Sequence, residues 1–288
     1  MVTDIKKKIK RKVIIYNLID YFTKHFTNKK KYNFAILSND YIGRQLITRD
    51  FFEEDYLDLV LKFIFKNKIK IRNVLDIGAN IGNHSIFFSR ISKMVYSFEP
   101  SKKAFELLKI NTRNKNIKIF DYGVSDKDRL GILTESKFNL GGSNIINKIE
   151  KHHFFNEKVK LCKLDNLNFL KKKKIDLIKI DIEGHEIKAL KGSTNLIKKN
   201  LPLILFELIN SDIVKNSSKV INFLSKFNYD FYQIKGDFNE YQNKFRRLLN
   251  TFSHLLIPKN IYFEKNNINK IEKKNYVLIL AYNKSKKN

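Results

Sequence analysis

The sequence predicts an α/β protein built on a doubly wound, mostly parallel sheet of seven strands, with a helical extension in front of it. Two observations carry this. From Ile71 onward, short apolar runs alternate with segments of helical period, the signature of consecutive βαβ units whose strands are buried on both faces. The first run ends in Asp76-Ile77-Gly78-Ala79-Asn80-Ile81-Gly82, a glycine turn between a strand and a helix start, and the second ends in an acid, Glu99.

Residues 1–70 form the extension. Val13, Tyr16, Ile19, Tyr21, Phe22 and Phe26 fall roughly on one helical side. Phe51, Phe52, Tyr56, Leu59, Val60, Phe63 and Ile64 repeat the 3–4 spacing behind Asp50, with Glu53 and Glu54 in the first turn, as a helix start prefers. Both helices are expected to pack on the domain behind them; the alternative for residues 5–26 is a basic amphipathic helix in peripheral contact with a membrane. The domain proper is expected over residues 71–288. Its strands are Val74–Ile77, Met94–Phe98, Ile117–Phe120, Ile175–Ile180 and Leu203–Phe206, with two more near Phe231–Ile234 and Tyr276–Leu280. Helices are expected over Asn83–Ile91, Lys102–Arg113 and Glu186–Lys198. Two interruptions break the alternation: a β-rich excursion from Gly123 to Asp165 with a loop at Asn139–Asn144, and an insert from Gly236 to Asn275 with a helix through Phe245, Leu248, Leu249 and Phe252. Such inserts often face ligands.

A chain of 288 residues holds one large domain, or a medium one with an appendage. The 43% of hydrophobic residues, with 24 Phe and 13 Tyr, exclude global disorder. A net charge of +28 points toward nucleic acid or an anionic membrane. It is carried, however, by 48 Lys and only 9 Arg spread through every segment, whereas phosphate and base recognition favours the Arg fork. A solvated Lys-rich surface is therefore preferred over an acidic partner. The one cysteine, Cys162, cannot form an internal disulfide. No signal-type cleavage site follows the basic stretch Lys6–Lys12, and no apolar run approaches the roughly 20 residues of a membrane span. A reducing, cytoplasmic location is the expectation.

The glycine turn lacks the G-x-G-x-x-G that admits a dinucleotide pyrophosphate and the G-K-[ST] of a phosphate-cradling loop. Asp76 at the strand end would repel phosphate but suits a cationic amino group. Glu99, 23 residues further on an adjacent strand, can accept two hydrogen bonds from a ribose diol. A zwitterionic adenosyl ligand satisfies both acids.

Together with Phe98-Glu99-Pro100, Val124-Ser125-Asp126 and Lys179-Ile180-Asp181-Ile182-Glu183-Gly184-His185-Glu186 followed by Leu190-Lys191-Gly192, this turn resembles the FkbM family of class I, S-adenosylmethionine-dependent methyltransferases, over about residues 55–210. The resemblance implies a Rossmann-like class I methyltransferase fold, S-adenosylmethionine as cofactor, and O-methyl transfer to a small molecule or, by preference, to a sugar residue of a glycan. It also implies that Asp76, Gly78, Ala79, Asn80 and Gly82 line the methionine end, that Glu99 holds the ribose, and that the stretch through Val124 and Ser125 flanks the adenine.

Methyl transfer to an alcohol is an in-line displacement, so the oxygen must be aligned and lose its proton. Asp181, Glu183 and His185 end the fourth strand, and Glu207 ends the fifth, on the same sheet edge as the turn. His185 or a carboxylate as general base is preferred. In the alternative, Asp181 and Glu207, with Glu183, hold a divalent cation, for which oxygen ligands suit magnesium or manganese. Gly184 and Glu186 read as structural, His84 as packing or a cap, and His152-His153 as lacking metal spacing. The runner-up functions are an RNA methyltransferase and a non-catalytic S-adenosylmethionine-binding protein. Against the first, amino-directed nucleic-acid enzymes resemble one another in an Asn/Asp-Pro-Pro-aromatic segment, and Asp181-Ile182-Glu183-Gly184 stands in its place.

Overall fold

The computed structural model describes residues 30–38, 40–136, 139–146, 155–209, 213–214, 217–236, 261–265, 272 and 275–286, and six residues between 13 and 21. An irregular stretch at 30–38 leads to helices α1 (Tyr41–Leu46) and α2 (Glu54–Lys66). Then come β1 (Asn73–Ile77), α3 (Asn83–Ser89), β2 (Met94–Phe98), α4 (Lys102–Thr112) and β3 (Ile117–Phe120). Four strands follow, β4 (Tyr122–Val124), β5 (Arg129–Ser136), β6 (Asn139–Ile146) and β7 (Phe155–Cys162). The α/β alternation resumes with α5 (Asn168–Lys171), β8 (Leu177–Ile180), α6 (Glu186–Lys191), α7 (Thr194–Asn200) and β9 (Leu203–Leu208). The remaining elements are the short pair β10 (Ile213–Val214) and β11 (Ser217–Ser218), helix α8 (Lys219–Ser225), and strands β12 (Asp230–Gly236), β13 (Ile261–Lys265) and β14 (Tyr276–Tyr282).

The main sheet has eight strands in the order β13-β12-β14-β9-β8-β1-β2-β3. Strands β9, β8, β1, β2 and β3 run parallel, and β14, β12 and β13 add antiparallel pairings. This is the doubly wound, Rossmann-like class I architecture. The eighth strand corrects the expected seven: β13 arises inside the insert and pairs with β12 at the far edge. The helix expected through Phe245–Phe252 lies outside the described residues. Strand order reverses between β1 and β8, so the carboxyl ends of these two strands open the crevice where open α/β sheets bind ligands.

Side-chain alternation divides the core into two layers. Leu75, Ile77, Tyr96, Phe98, Ile178, Ile180, Ile204 and Phe206 point to one face, against α6, α7 and α8. Val74, Val95, Leu177, Leu203 and Leu205 point to the other, against α2 and α3. Phe51, fully buried, plugs this second layer, with its ring 5.2 Å from Phe87 and 4.8 Å from Tyr32. The Arg90 guanidinium lies 5.3–5.6 Å from the Tyr32, Phe51 and Phe87 rings. Residues 30–66 thus share the sheet's core.

Two asparagines tie this segment to the glycine turn. The Phe52 amide donates to Asn83 Oδ1 at 2.8 Å, while Asn83 Nδ2 donates to the Phe52 carbonyl at 3.1 Å. Asn111 Oδ1 accepts from the Ala35 amide at 2.6 Å, and its Nδ2 donates to the carbonyls of Ala35 and Ile81 at 3.0 and 2.8 Å. The described residues between 13 and 21 behave differently: Val13, Ile14, Leu18 and Tyr21 are helical but exposed rather than packed.

Two expectations for local structure are corrected. The single helix over Glu186–Lys198 is two, α6 and α7, broken at Gly192-Ser193. A Cβ on Gly192 would fall 1.9 Å from the Ser125 carbonyl oxygen, so the chain turns where it presses on that backbone. The excursion is a second sheet, ordered β4-β7-β5-β6, and the Asn139–Asn144 loop is part of strand β6, paired antiparallel with β5. No helix among the described residues is long and apolar enough to cross a membrane.

Candidate active site

The crevice at the carboxyl edge holds a cavity of about 220 Å³. Its floor is the glycine turn. Gly78 takes φ +78°, and its amide and that of Ala79 both donate to the Phe98 carbonyl at 3.0 Å, fastening the turn to the end of β2. A Cβ on Gly78 would sit 1.9 Å from the Asp181 carbonyl oxygen, so only glycine lets the turn and the end of β8 touch. Asn80, at φ +50°, donates its amide to Glu99 Oε2 at 2.8 Å, and the Ser101 amide reaches Glu99 Oε1 at 2.9 Å. The Glu99 carboxylate is therefore fixed beside the turn, on the wall of the cavity. Asn80 Oδ1 is buried in the wall without a hydrogen-bond partner.

Of the residues that the sequence assigns to a donor site, Gly78, Ala79, Asn80 and Glu99 line the cavity; Asp76, Gly82, Val124 and Ser125 do not. Register explains Asp76. It pairs with Ser97 and Lys179 on neighbouring strands, and the three share the face covered by α3. Asp76 is fully buried there, accepts from the Ser85 hydroxyl at 2.5 Å, and lies 3.9 Å from Lys179 Nζ, so its charge faces a lysine instead of a ligand amine. Gly82 packs against Leu108 and Thr112. Ser125 is a hub between the two sheets: its amide donates to the Cys162 carbonyl at 2.8 Å and its hydroxyl meets His185 Nε2 at 2.9 Å.

That contact also removes His185 from the cavity. The ring is buried against Ser125, and burial, assisted by Lys188, pushes its pKa down to about 4. A neutral imidazole held behind the wall is in no position to take a proton from a group in the cavity.

The carboxylates come together. Oxygens of Asp181, Glu183 and Glu207 lie within 4.8 Å of one another. Burial and then the Asp181 and Glu183 charges raise the Glu207 carboxyl to about 8; burial and Asp181 also raise Glu183. Asp181 moves the other way. Burial opposes its charge, but Lys179, 3.1 Å away, outweighs this and holds the carboxyl below its ordinary range. Lys179 itself is nearly buried, yet the Asp181 and Asp76 carboxylates offset its desolvation and keep it protonated. Glu183 sits at φ +50° on a loop held by Glu186, whose carboxylate accepts the amides of Ile182 at 3.3 Å and Gly184 at 3.1 Å.

The lining residues outside the sequence-based set include Lys179, His84, Glu53, Tyr41 and Phe52. Lys179 left a signal, a charge inside the apolar run Leu177-Ile178-Lys179-Ile180. His84 has its Nε2 3.6 Å from Glu53 Oε2, a contact between distant segments with no local signature.

The Methyltransferase FkbM domain matches the chain over residues 76–231. Curated proteins give no match. Among solved structures, the FkbM methyltransferase of Methylobacillus flagellatus KT aligns with 14% identity and a TM-score of 0.40, over 74% of this chain and 44% of that one; this chain spans less than half of its length. The precorrin-6y C5,15-methyltransferase of Geobacter metallireducens GS-15 aligns with 13% identity and a TM-score of 0.40, over 86% and 94% of the two chains. An rRNA methylase of Streptococcus thermophilus aligns with 11% identity and a TM-score of 0.39, over 78% and 96%. The matched span takes in more than half of the chain and, with it, the glycine turn, Glu99 and all three clustered carboxylates. The chain belongs to the FkbM methyltransferase family.

Proposed function

We propose that the protein transfers a methyl group from S-adenosylmethionine to a hydroxyl oxygen of a small molecule or, by preference, of a sugar in a glycan. The carrying observation is that one cavity sets Gly78–Asn80 and Glu99 against Asp181, Glu183 and Glu207. The donor's polar groups match what the floor offers: Glu99 for a ribose diol, and the unpartnered Asn80 Oδ1 for a further donor group. Oxygen as the methylated atom and sugar as the acceptor follow from the family resemblance.

When bound, the donor supplies an electrophilic methyl group on a sulfonium. Glu99, clamped by the Asn80 and Ser101 amides, orients it. Glu207, once ionised, would take the hydroxyl proton as the acceptor oxygen bonds to the methyl carbon and that carbon parts from sulfur, which keeps the electron pair as a neutral thioether; its raised proton affinity makes it the stronger base of the cluster. Lys179 fixes Asp181, whose charge with that of Glu183 sustains the affinity of Glu207 for the proton.

Calorimetry with S-adenosylmethionine and S-adenosylhomocysteine tests the donor assignment; no affinity in folded protein would sink it. Mass spectrometry of saccharides from cells with and without the gene tests the acceptor, with the loss of methyl groups in the deletion as the expected result. The proximity of the three carboxylates supports a second reading, in which they hold magnesium or manganese that activates the hydroxyl. Activity that survives dialysis against a chelator excludes it. An RNA acceptor is disfavoured, because the lining carries Glu53, Glu99, Asp181 and Glu183 beside Glu207 and would repel a phosphate backbone.

A further inference from the structure

We propose that the acceptor is held by Tyr41, Phe52 and Glu53, the two rings taking a ring face of the acceptor and Glu53 a hydroxyl or ammonium group, so that accepted molecules carry a ring and no negative charge. This rests on the methyl-transfer reading and names the substrate class of that site.

The cavity has two halves of different origin. Its floor and acid cluster lie within the matched residues 76–231, whereas Tyr41, Phe52 and Glu53 wall it from outside that span. These side chains do nothing evident for the core. Phe51 supplies the core plug, and its neighbour Phe52 lines the cavity, edge-to-face with Tyr41 at 5.9 Å between centroids. Tyr41 stays half exposed at the rim, and an aromatic pair left open beside carboxylates suits a ligand with one apolar face and polar edges. The wall is rigid: Asn83, next to the donor turn, clasps both backbone groups of Phe52.

Glu53 strengthens the case. It begins α2 in the left-handed region, at φ +59°, without capping the helix through its side chain. Surrounding structure must hold a non-glycine residue in that conformation, and here the Phe52 clamp on one side and His84 at 3.6 Å on the other do so. Charge then selects. Glu53, Glu99, Asp181 and Glu183 face the cavity against the one lysine of its lining, Lys179, with Glu207 adding its charge once ionised, so an anionic acceptor is repelled despite the basic surface of the chain.

The test uses the full chain as wild type, Tyr41→Ala, Tyr41→Phe and Glu53→Gln. Each is titrated with S-adenosylhomocysteine by calorimetry. Each is then given methyl-labelled S-adenosylmethionine and an extract of cells lacking the gene, and the labelled product is passed over an anion exchanger. Expected are donor affinities within about twofold of wild type, which also reports folding, and at least a tenfold rise in the extract needed for half-maximal labelling with Tyr41→Ala and Glu53→Gln; for Tyr41→Ala the change is in binding and not in plateau rate, whereas Glu53→Gln, whose lost charge also acts on Glu207, is read from the half-maximal amount alone. Tyr41→Phe, which keeps the ring, should label like wild type, and the label should pass the exchanger unretained. Wild-type labelling by Tyr41→Ala and Glu53→Gln, or label retained on the exchanger, overturns the proposal. Donor binding with no labelling by the wild-type enzyme would instead defeat methyl transfer itself.

Discussion

Glu207 binds its proton far more tightly than a free carboxyl, because it is partly buried and faces Asp181, Glu183 and Glu53. Acting as base, it must first be ionised, so the methyl-transfer rate should climb with pH and level off above about 8. Glu207→Gln should lower the turnover rate by about 10²–10⁴-fold while leaving S-adenosylhomocysteine affinity nearly unchanged. The same shift acts on stability. Between the ordinary value of 4.5 and about 8 the folded chain holds a proton that the unfolded chain has lost, so stability falls as pH rises through that interval. Glu207→Gln should therefore melt higher than wild type, with the gap widening toward the upper end of the interval. Glu99→Ala should weaken S-adenosylhomocysteine by at least about tenfold in calorimetry, since it removes a charged acceptor of two hydrogen bonds. At this scale the sequence showed which acids end the strands, because strand ends can be read from apolar runs. It did not show that Asp76 is turned toward Lys179 or His185 toward Ser125. Those outcomes depend on lateral register and on a loop folding back, and neither leaves a trace in local spacing.

Among the elements, the turn at 77–82 carries the most constraint for its length. Gly78→Ala would drive a Cβ into the Asp181 carbonyl and strain φ as well, so it should cost stability by about 3 kcal/mol and also weaken the donor, as urea unfolding and calorimetry would show. Asn111→Ala removes three hydrogen bonds that join Ala35 and Ile81, and should cost about 2–3 kcal/mol in the same unfolding measurement. Strands β1, β2, β8 and β9 were legible because each is a short run buried on both faces, and the edge strand β3 because its apolar residues flank a single exposed lysine, Lys118. The break between α6 and α7 was not, since both halves keep a helical apolar pattern and the cause is the distant Ser125 backbone. Strand β6 was hidden by Gly141-Gly142, which reads as a loop until β5 pairs with it.

For the molecule as a whole, the contrast between a basic exterior and an acidic cavity is the governing electrostatic fact. Lysines spread over the chain give it +28, yet the cavity lining has five carboxylates among its described residues. Bulk charge and site charge therefore point to different partners, and the site decides the chemistry. The doubly wound, mostly parallel sheet was legible from the alternation; the part played by residues 30–66 was not, because an amphipathic helix shows that it packs without showing where. Phe51 and Phe52 make that part concrete. One is anchored in the hydrophobic interior beneath Arg90, the other lines the cavity, and a single peptide bond separates them. A fragment of residues 71–288 should accordingly lose more than a wall: with the Phe87 face stripped it should aggregate or fail to melt cooperatively. Interior plug and cavity wall are thus consecutive residues on one strut, so any substitution at residue 52 that displaces its backbone from Asn83 also tugs at the seating of residue 51.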